Sequence, residues 1–337
     1  MPHVTTFVVA GIGVVVFHFV NLPLPWLLGP MAACLIAALA GVDMKGIAPL
    51  NDAMRTILGV AVGATFTPAV FLAMTGMWPT LLLIPVMVLC VGLVGVPYFR
   101  LLWRFDFPTS YYGAMPGGLS DMLVFGEEAG GNIRTLSLIH ATRVMVIVAA
   151  LPFLLQGIWG ADLGNPPGAP ARDIPVYEMI LMLISAVVGW QLFKRLNLFG
   201  ASILGPLVVT GILAISGFLT NRPPVEAIWA AQFFIGMSVG IHYVGITMAE
   251  IRRDLLASVG FCILLILLTF PFVELVYLAG LAPGTETLLA FAPGGQAELT
   301  VLALVVGADM AFVIAHHVLR ILVVILGAPL FARLLDR

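Results

Sequence analysis

The sequence predicts an all-α polytopic membrane protein of about ten transmembrane helices, arranged as two inverted repeats of five. Each repeat carries a broken or re-entrant Pro-Gly-Gly segment. Three observations predict this. Hydrophobic residues make up 61% of the chain and charged residues 9%, against about 25% charged in soluble domains. The mean hydropathy is +1.12, so bilayer must replace water as the solvent. The motif Pro116-Gly117-Gly118-Leu119-Ser120-Asp121 returns as Pro293-Gly294-Gly295-Gln296-Ala297-Glu298, an offset of 298 − 121 = 177 residues. A duplicated apolar chain with matched polar breaks is the pattern of a transporter built from two repeats.

A spanning helix needs about 20 apolar residues. Such stretches lie near 4–20, 24–41, 53–68, 79–101 and 132–156 in the first half. In the second they lie near 175–193, 199–219, 227–245, 256–280 and 309–333. The first stretch lacks a basic leader and a small-residue cleavage site, so it is expected to be a span and not a signal peptide. Residues 1–156 form the first repeat and 175–337 the second. Between them, 157–174 is a Pro/Gly-rich linker. Earlier landmarks repeat as well: Leu28-Gly29-Pro30 returns as Leu204-Gly205-Pro206, and Gly59 and Gly63 return as Gly236 and Gly240. Small residues at this spacing favour plain close helix packing.

Basic residues set the expected topology. With the N-terminus in the cytoplasm and five spans per half, ten cations fall inside: Lys45, Arg55, Arg100, Arg104, Lys194, Arg195, Arg252, Arg253, Arg333 and Arg337. Arg172 and Arg222 alone fall outside, a clear positive-inside bias. An odd span count forces the halves into opposite orientation. The expected location is a bacterial inner membrane, with both termini cytoplasmic.

The candidate site follows from the segments that cannot be ordinary lipid-facing helix. Irregular backbone at membrane depth survives only when buried in protein or lining a wet cavity. Pro116, Gly117, Gly118 and Ser120, with Pro293, Gly294, Gly295 and Gln296, are therefore expected at helix starts that bind substrate. A helix N-terminus carries partial positive charge and open N–H groups, and favours an anion. The plain alternative is a pair of loops outside the membrane. Asp121 and Glu298, matched just after the glycines, are expected to carry a proton or Na⁺, because an acid in low dielectric can cycle its proton. The plain alternative is a favourable charge in the first helical turn.

His140/Arg143 and His317/Arg320 share helix faces at i, i+3. Intramembrane arginine is costly and seeks a cavity or a carboxylate. Arg143 and Arg320 are thus expected to bind substrate or to pair with Asp121 and Glu298. Asp309, His140 and His317 join the coupling candidates. His18 and His242 read as packing residues. The three cysteines lie in apolar runs and suggest neither a disulfide nor a metal site.

At these motifs the chain resembles the AbrB-type membrane protein duplication family of bacteria. The carriers are the Leu-Gly-Pro signals, the Pro-Gly-Gly-x-x-(Asp/Glu) motifs and the His-x-x-Arg pairs, and the likeness spans nearly the whole chain. The resemblance implies an inner-membrane transporter. An ammonia monooxygenase label also circulates for such proteins, but no cofactor fingerprint stands in this sequence to support it.

The expected function is secondary transport of a small organic anion, coupled to protons or Na⁺, with no enzyme activity, cofactor or bound metal. The partners are the substrate, the coupling ion and the bilayer, with a homodimer possible. A net charge of −2 leaves no basic field for nucleic acid. Two rivals remain: an intramembrane metal enzyme using Asp121, Glu298, His140 and His317, or a membrane sensor that binds a ligand without moving it.

Overall fold

A computed structural model describes residues 1–68, 76–164, 166–198 and 200–335. Asn165, Phe199 and Arg337 lie outside the described residues, as do the side chains of Ser120 and Arg333. Among the described residues every regular element is helical. The first run is α1 (Pro2–Phe19), α2 (Pro25–Leu39), α3 (Ala48–Gly63), α4 (Trp78–Leu102), α5 (Phe107–Ala114), α6 (Leu119–Glu128) and α7 (Ile133–Trp159). The second is α8 (Val176–Arg195), α9 (Ala201–Ile215), α10 (Val225–Gly240), α11 (Met248–Leu278), α12 (Gly284–Phe291), α13 (Gln296–Val306) and α14 (Met310–Leu335). The same sequence of long and short helices is thus traversed twice.

The backbone carries the duplication more finely than the side chains do. Left-handed residues recur in register: Asn21 (φ 55°) with Asn197 (50°), Leu24 (49°) with Gly200 (62°), Gly41 (81°) with Gly217 (78°), and Gly130 (82°) with Gly307 (69°). Leu24 is the costly member. A branched side chain at positive φ is strained, and the second copy relieves the strain by placing glycine there.

Among the described residues, seven helices are long and apolar enough to cross a membrane: α1, α4, α7, α8, α10 with its short extension to Tyr243, α11 and the part of α14 from Met310 to Ala328. The expected spans at 24–41, 53–68 and 199–219 are shorter. Helices α2, α3 and α9 have 15, 16 and 15 residues. At 1.5 Å per residue they reach about 22–24 Å, less than the roughly 30 Å of a bilayer core. Turn geometry cuts α2 and α9 short. Leu24 and Gly200, both left-handed, cap the starts of α2 and α9, and turns at Gly41 and Gly217 follow their ends. Composition and these helices together make the chain a multi-pass membrane protein.

Two compact units cut across the two halves of the sequence. One contains α1–α3, α8–α10 and α13. The other contains α4–α7, α11, α12 and α14 from Phe312. Each unit draws on both repeats, so the repeat and the compact unit are different divisions of the chain.

In the first unit the helices meet through glycine, backbone against backbone. A Cβ on Gly13 would collide with the Gly29 carbonyl oxygen, and one on Gly189 with that of Gly205. Across repeats, a Cβ on Gly59 of α3 would collide with the Ile203 oxygen of α9. On Gly236 of α10 it would collide with the Leu27 oxygen of α2. Gly63 and Gly240 repeat the exchange one turn on, each with a hypothetical Cβ 2.6 Å from an oxygen, of Leu207 and Met31. The expectation of close packing at these four glycines holds, and the exchange is reciprocal.

In the second unit, Tyr98 Oη donates to the Ala257 oxygen at 2.9 Å and ties α4 to α11. Arg134 Nε meets Glu250 Oε1 at 2.8 Å, and Thr135 Oγ1 donates to Asp254 Oδ2 at 3.0 Å, which ties α7 to the start of α11.

Candidate functional site

The first Pro-Gly-Gly segment interrupts a helix. Asp106 starts α5 by accepting from the Thr109 N–H (2.8 Å) and hydroxyl (2.9 Å). Helix α5 stops at Ala114. Met115 is extended (φ −65°, ψ 130°), as is Gly118 (−66°, 143°), and α6 begins at Leu119. Any residue can adopt these angles, so space and not backbone freedom calls for Gly117 and Gly118. A Cβ on Gly117 would come within 2.9 Å of Met122 and Val324, and one on Gly118 within 2.5 Å of Asp121 Oδ2.

A break leaves the last carbonyls of α5 without helical partners. Helix α7 supplies them. His140 Nε2 meets the Tyr112 oxygen at 3.1 Å. Arg143 Nη1 donates to the Met115 oxygen at 2.9 Å and Nη2 to the Gly117 oxygen at 2.7 Å. A guanidinium also suits the negative end of the α5 dipole. The second copy repeats the clamp atom for atom. His317 Nε2 meets the Leu289 oxygen at 2.9 Å, and Arg320 donates to the oxygens of Ala292 (2.5 Å) and Gly294 (3.2 Å). All four side chains are at most 2% exposed.

The expected pairing of these arginines with Asp121 and Glu298 is not what forms. Among the described residues neither guanidinium is in an ion pair, and the Nη donors named above go to backbone carbonyls. The break explains this. Its carbonyl end faces the arginine, while the acid belongs to the N-terminal turn of the next helix. Among the described residues Nε of each of these arginines, and Nδ1 of each histidine, has no hydrogen-bond partner.

The two acids differ. Asp121 is partly exposed and folds back over Gly118. Glu298 is 4% exposed. Its helix α13 belongs to the first unit, so between Gly295 and Gln296 the chain passes from one unit to the other. There α13 packs on α3 and α10. Arg55 of α3 attracts Glu298 without forming an ion pair with it. Around them Asn51 Nδ2 donates to Ser238 Oγ at 3.2 Å, and His242 Nδ1 meets the Ser238 oxygen at 2.6 Å. Asn51 Oδ1, Arg55 Nε and Gln296 Nε2 are buried without partners among the described residues.

Asp309 and its repeat partner Asn132 sit at helix starts. Asp309 Oδ1 accepts from the Ala311 N–H at 2.9 Å, and Asn132 Oδ1 from that of Thr135 at 3.0 Å. Among the described residues no three His, Cys, Asp or Glu side chains converge as a metal would require, so the four proposed ligands do not form such a set.

Sequence reasoning passed over Asn51 and Ser238, counted Arg55 among the cytoplasmic cations, and read His242 as packing. One signal was available: Asn51/Arg55 and Ser238/His242 are polar pairs at i, i+4, in α3 and at the end of α10 with its extension. Glu178 was also missed. It is 1% exposed and accepts from the backbone N–H groups and side chains of Thr220 and Asn221, which satisfies it as a structural acid.

Residues 4–336 match the family described as "Transition state regulatory protein AbrB". The chain belongs to the AbrB family. Among AbrB relatives, it is 27% identical to "Uncharacterized protein YhjN" of Bacillus subtilis strain 168, over 97% of this chain and 91% of that one. It is 26% identical to "Putative regulator AbrB" of Escherichia coli K12, over 95% and 92%. The resemblance read from the motifs is thus the family that the whole chain matches.

Proposed function

We propose that the chain is a secondary transporter of a small organic anion, driven by protons or Na⁺. In this reading the two repeats are inverted, five spans each, and alternate access around the paired Pro-Gly-Gly breaks. One observation carries it: both repeats hold a broken helix open with the same three hydrogen bonds from a buried His-x-x-Arg pair. Two buried arginines that donate to main-chain oxygens and form no ion pair among the described residues favour an anion nearby. The N-termini of α6 and α13 add positive potential. Arg143 and Arg320 then act by holding the breaks rather than by gripping substrate end-on. The reciprocal glycine contacts of the first unit support a two-fold relation between repeats; in this reading five spans per half, an odd number, put that axis in the membrane plane.

Asp121 and Glu298 carry the coupling ion unequally, since one is partly exposed and the other buried. The test is uptake of labelled carboxylates into proteoliposomes with Asp121→Asn and Glu298→Gln. One variant should lose dependence on the pH or Na⁺ gradient yet still exchange substrate. Full gradient dependence in both would reduce these acids to helix-end charges. The names of the family and of the Escherichia coli relative favour a second reading, a regulator that binds ligand without moving it. Saturable binding with no flux in the same vesicles would select that reading.

A further inference from the structure

The polar cluster of the first unit is not explained by the clamps. It unites three helices that pack on one another: α3 with Asn51 and Arg55, α10 and its short extension with Ser238 and His242, and α13 with Gln296 and Glu298. Duplication does not account for it. The repeat partners of Asn51, Ser238 and His242 are Ile228, Ala61 and Thr65, and Arg55 answers to Gln232. A membrane protein gains nothing in packing from such residues, and each buried polar atom left unpaired is costly.

The cluster has a defined set of unmet needs among the described residues. Two donors lack acceptors: Arg55 Nε and Gln296 Nε2. One neutral acceptor lacks a donor: Asn51 Oδ1. The Glu298 carboxylate is 4% exposed and accepts only from its own backbone. Arg55 and Glu298 feel each other's charge, yet no ion pair closes between them. An acid and a base that do not pair, beside unpartnered donors and an unpartnered acceptor in a half-buried cluster, suit a molecule that is acceptor at one end and donor at the other.

We propose that this cluster binds a small carboxylate that carries a neighbouring hydrogen-bond donor, a hydroxyl or an ammonium. The carboxylate lies against Arg55 and Gln296. The donor lies against Glu298 and Asn51. Ser238 holds the Asn51 amide by accepting from its Nδ2, which leaves Oδ1 for the ligand. This deepens the transporter reading by naming the substrate class. Translocation of the bound molecule rests on that reading; binding itself does not.

The experiment uses an isosteric set of probes, propionate, lactate and alanine, in thermal melting of the full chain in nanodiscs. Propionate offers the carboxylate alone, while lactate and alanine add a hydroxyl or an ammonium. At least one of these two should bind about tenfold or more tightly than propionate, the worth of one charged hydrogen bond. Which of the two wins decides between hydroxy and amino acids. Glu298→Gln should collapse that preference, and Arg55→Lys should weaken all probes, since a lysine cannot present the fork. Asn51→Ala keeps the charges and should lower the preference alone, which guards against a misfolded Glu298 variant. Equal binding of all three probes, no stabilisation by any, or a preference untouched in Glu298→Gln and Asn51→Ala would overturn the proposal. The two readings fail separately. Probe binding lost in Arg55→Lys without any vesicle flux would leave the site and remove the carrier. Carboxylate flux unchanged in Arg55→Lys would leave the carrier and remove the site.

Discussion

The two Pro-Gly-Gly breaks share a clamp and differ in nearly everything around it. Beside the first, Tyr111, Tyr112, Met115 and Met122 pack with Leu136 and Val324 in one buried cluster, and Tyr111 Oη donates to the Ala328 oxygen at 2.9 Å. At the second, the partners of Tyr111 and Met115 are Leu288 and Ala292. Phe291 stands where the first break has Ala114, and an apolar crevice lined by Ile147, Leu151, Phe270, Leu288, Ala292 and Pro293 lies beside the second break. The helix after each break differs too. Helix α6 stays in the same unit as its clamp, whereas α13 belongs to the other unit. Duplication has preserved what fixes the backbone and released what surrounds it. The difference teaches that the clamp is the shared device and that the packing around it is free to differ between the repeats.

The largest expected effect tests whether the clamps are equivalent. Arg143→Ala and Arg320→Ala each strand two carbonyls that now accept from a charged donor, worth about 1.5–3 kcal/mol apiece. Both variants should melt many degrees lower, by similar amounts. A large loss at one and none at the other would break the symmetry. Next come the packing swaps. Met115→Ala opens a cavity in a filled cluster and should cost about 2–5 kcal/mol. Ala292→Met places the same side chain beside an existing crevice and should stay within about 1.5 kcal/mol of wild type. Equal destabilisation by the two would mean that the second break is as tightly filled as the first. Tyr111→Phe removes one buried hydrogen bond found only at the first break and should cost about 1 kcal/mol in melting experiments. The smallest effect is expected away from both breaks. Arg134 is 40% exposed in its ion pair with Glu250, so Arg134→Ala should change stability by about 1 kcal/mol or less, and less still at high salt.

Much of this was legible in the sequence because duplication writes the same motif twice. The helical class, the breaks at Pro116 and Pro293 and the shared face of His140 and Arg143 all followed from spacing. The arginines' partners did not follow, because a sequence shows side chains and the acceptors here are main-chain oxygens exposed by the break itself. An acid three residues past the glycines was the obvious partner, and the geometry sends it elsewhere. The short reach of α2 was hidden by an apolar turn residue, Leu24, whose left-handed backbone no hydropathy pattern reveals. The Asn51–Arg55–Ser238–Glu298 cluster was hidden because its members come from three distant segments and mostly lack a repeat partner of like chemistry.

Carboxylate uptake into proteoliposomes, compared between wild type and the Arg143→Lys and Arg320→Lys variants, tests the central claim most directly. Lysine keeps the charge but cannot span two carbonyls as the guanidinium fork does. Gradient-driven uptake in the wild type, cut about tenfold or more in each variant while the folded protein persists, is the predicted result; tenfold corresponds to about 1.4 kcal/mol in the barrier. Wild-type vesicles that bind but never accumulate a carboxylate, or lysine variants that transport as well as wild type, would contradict the account.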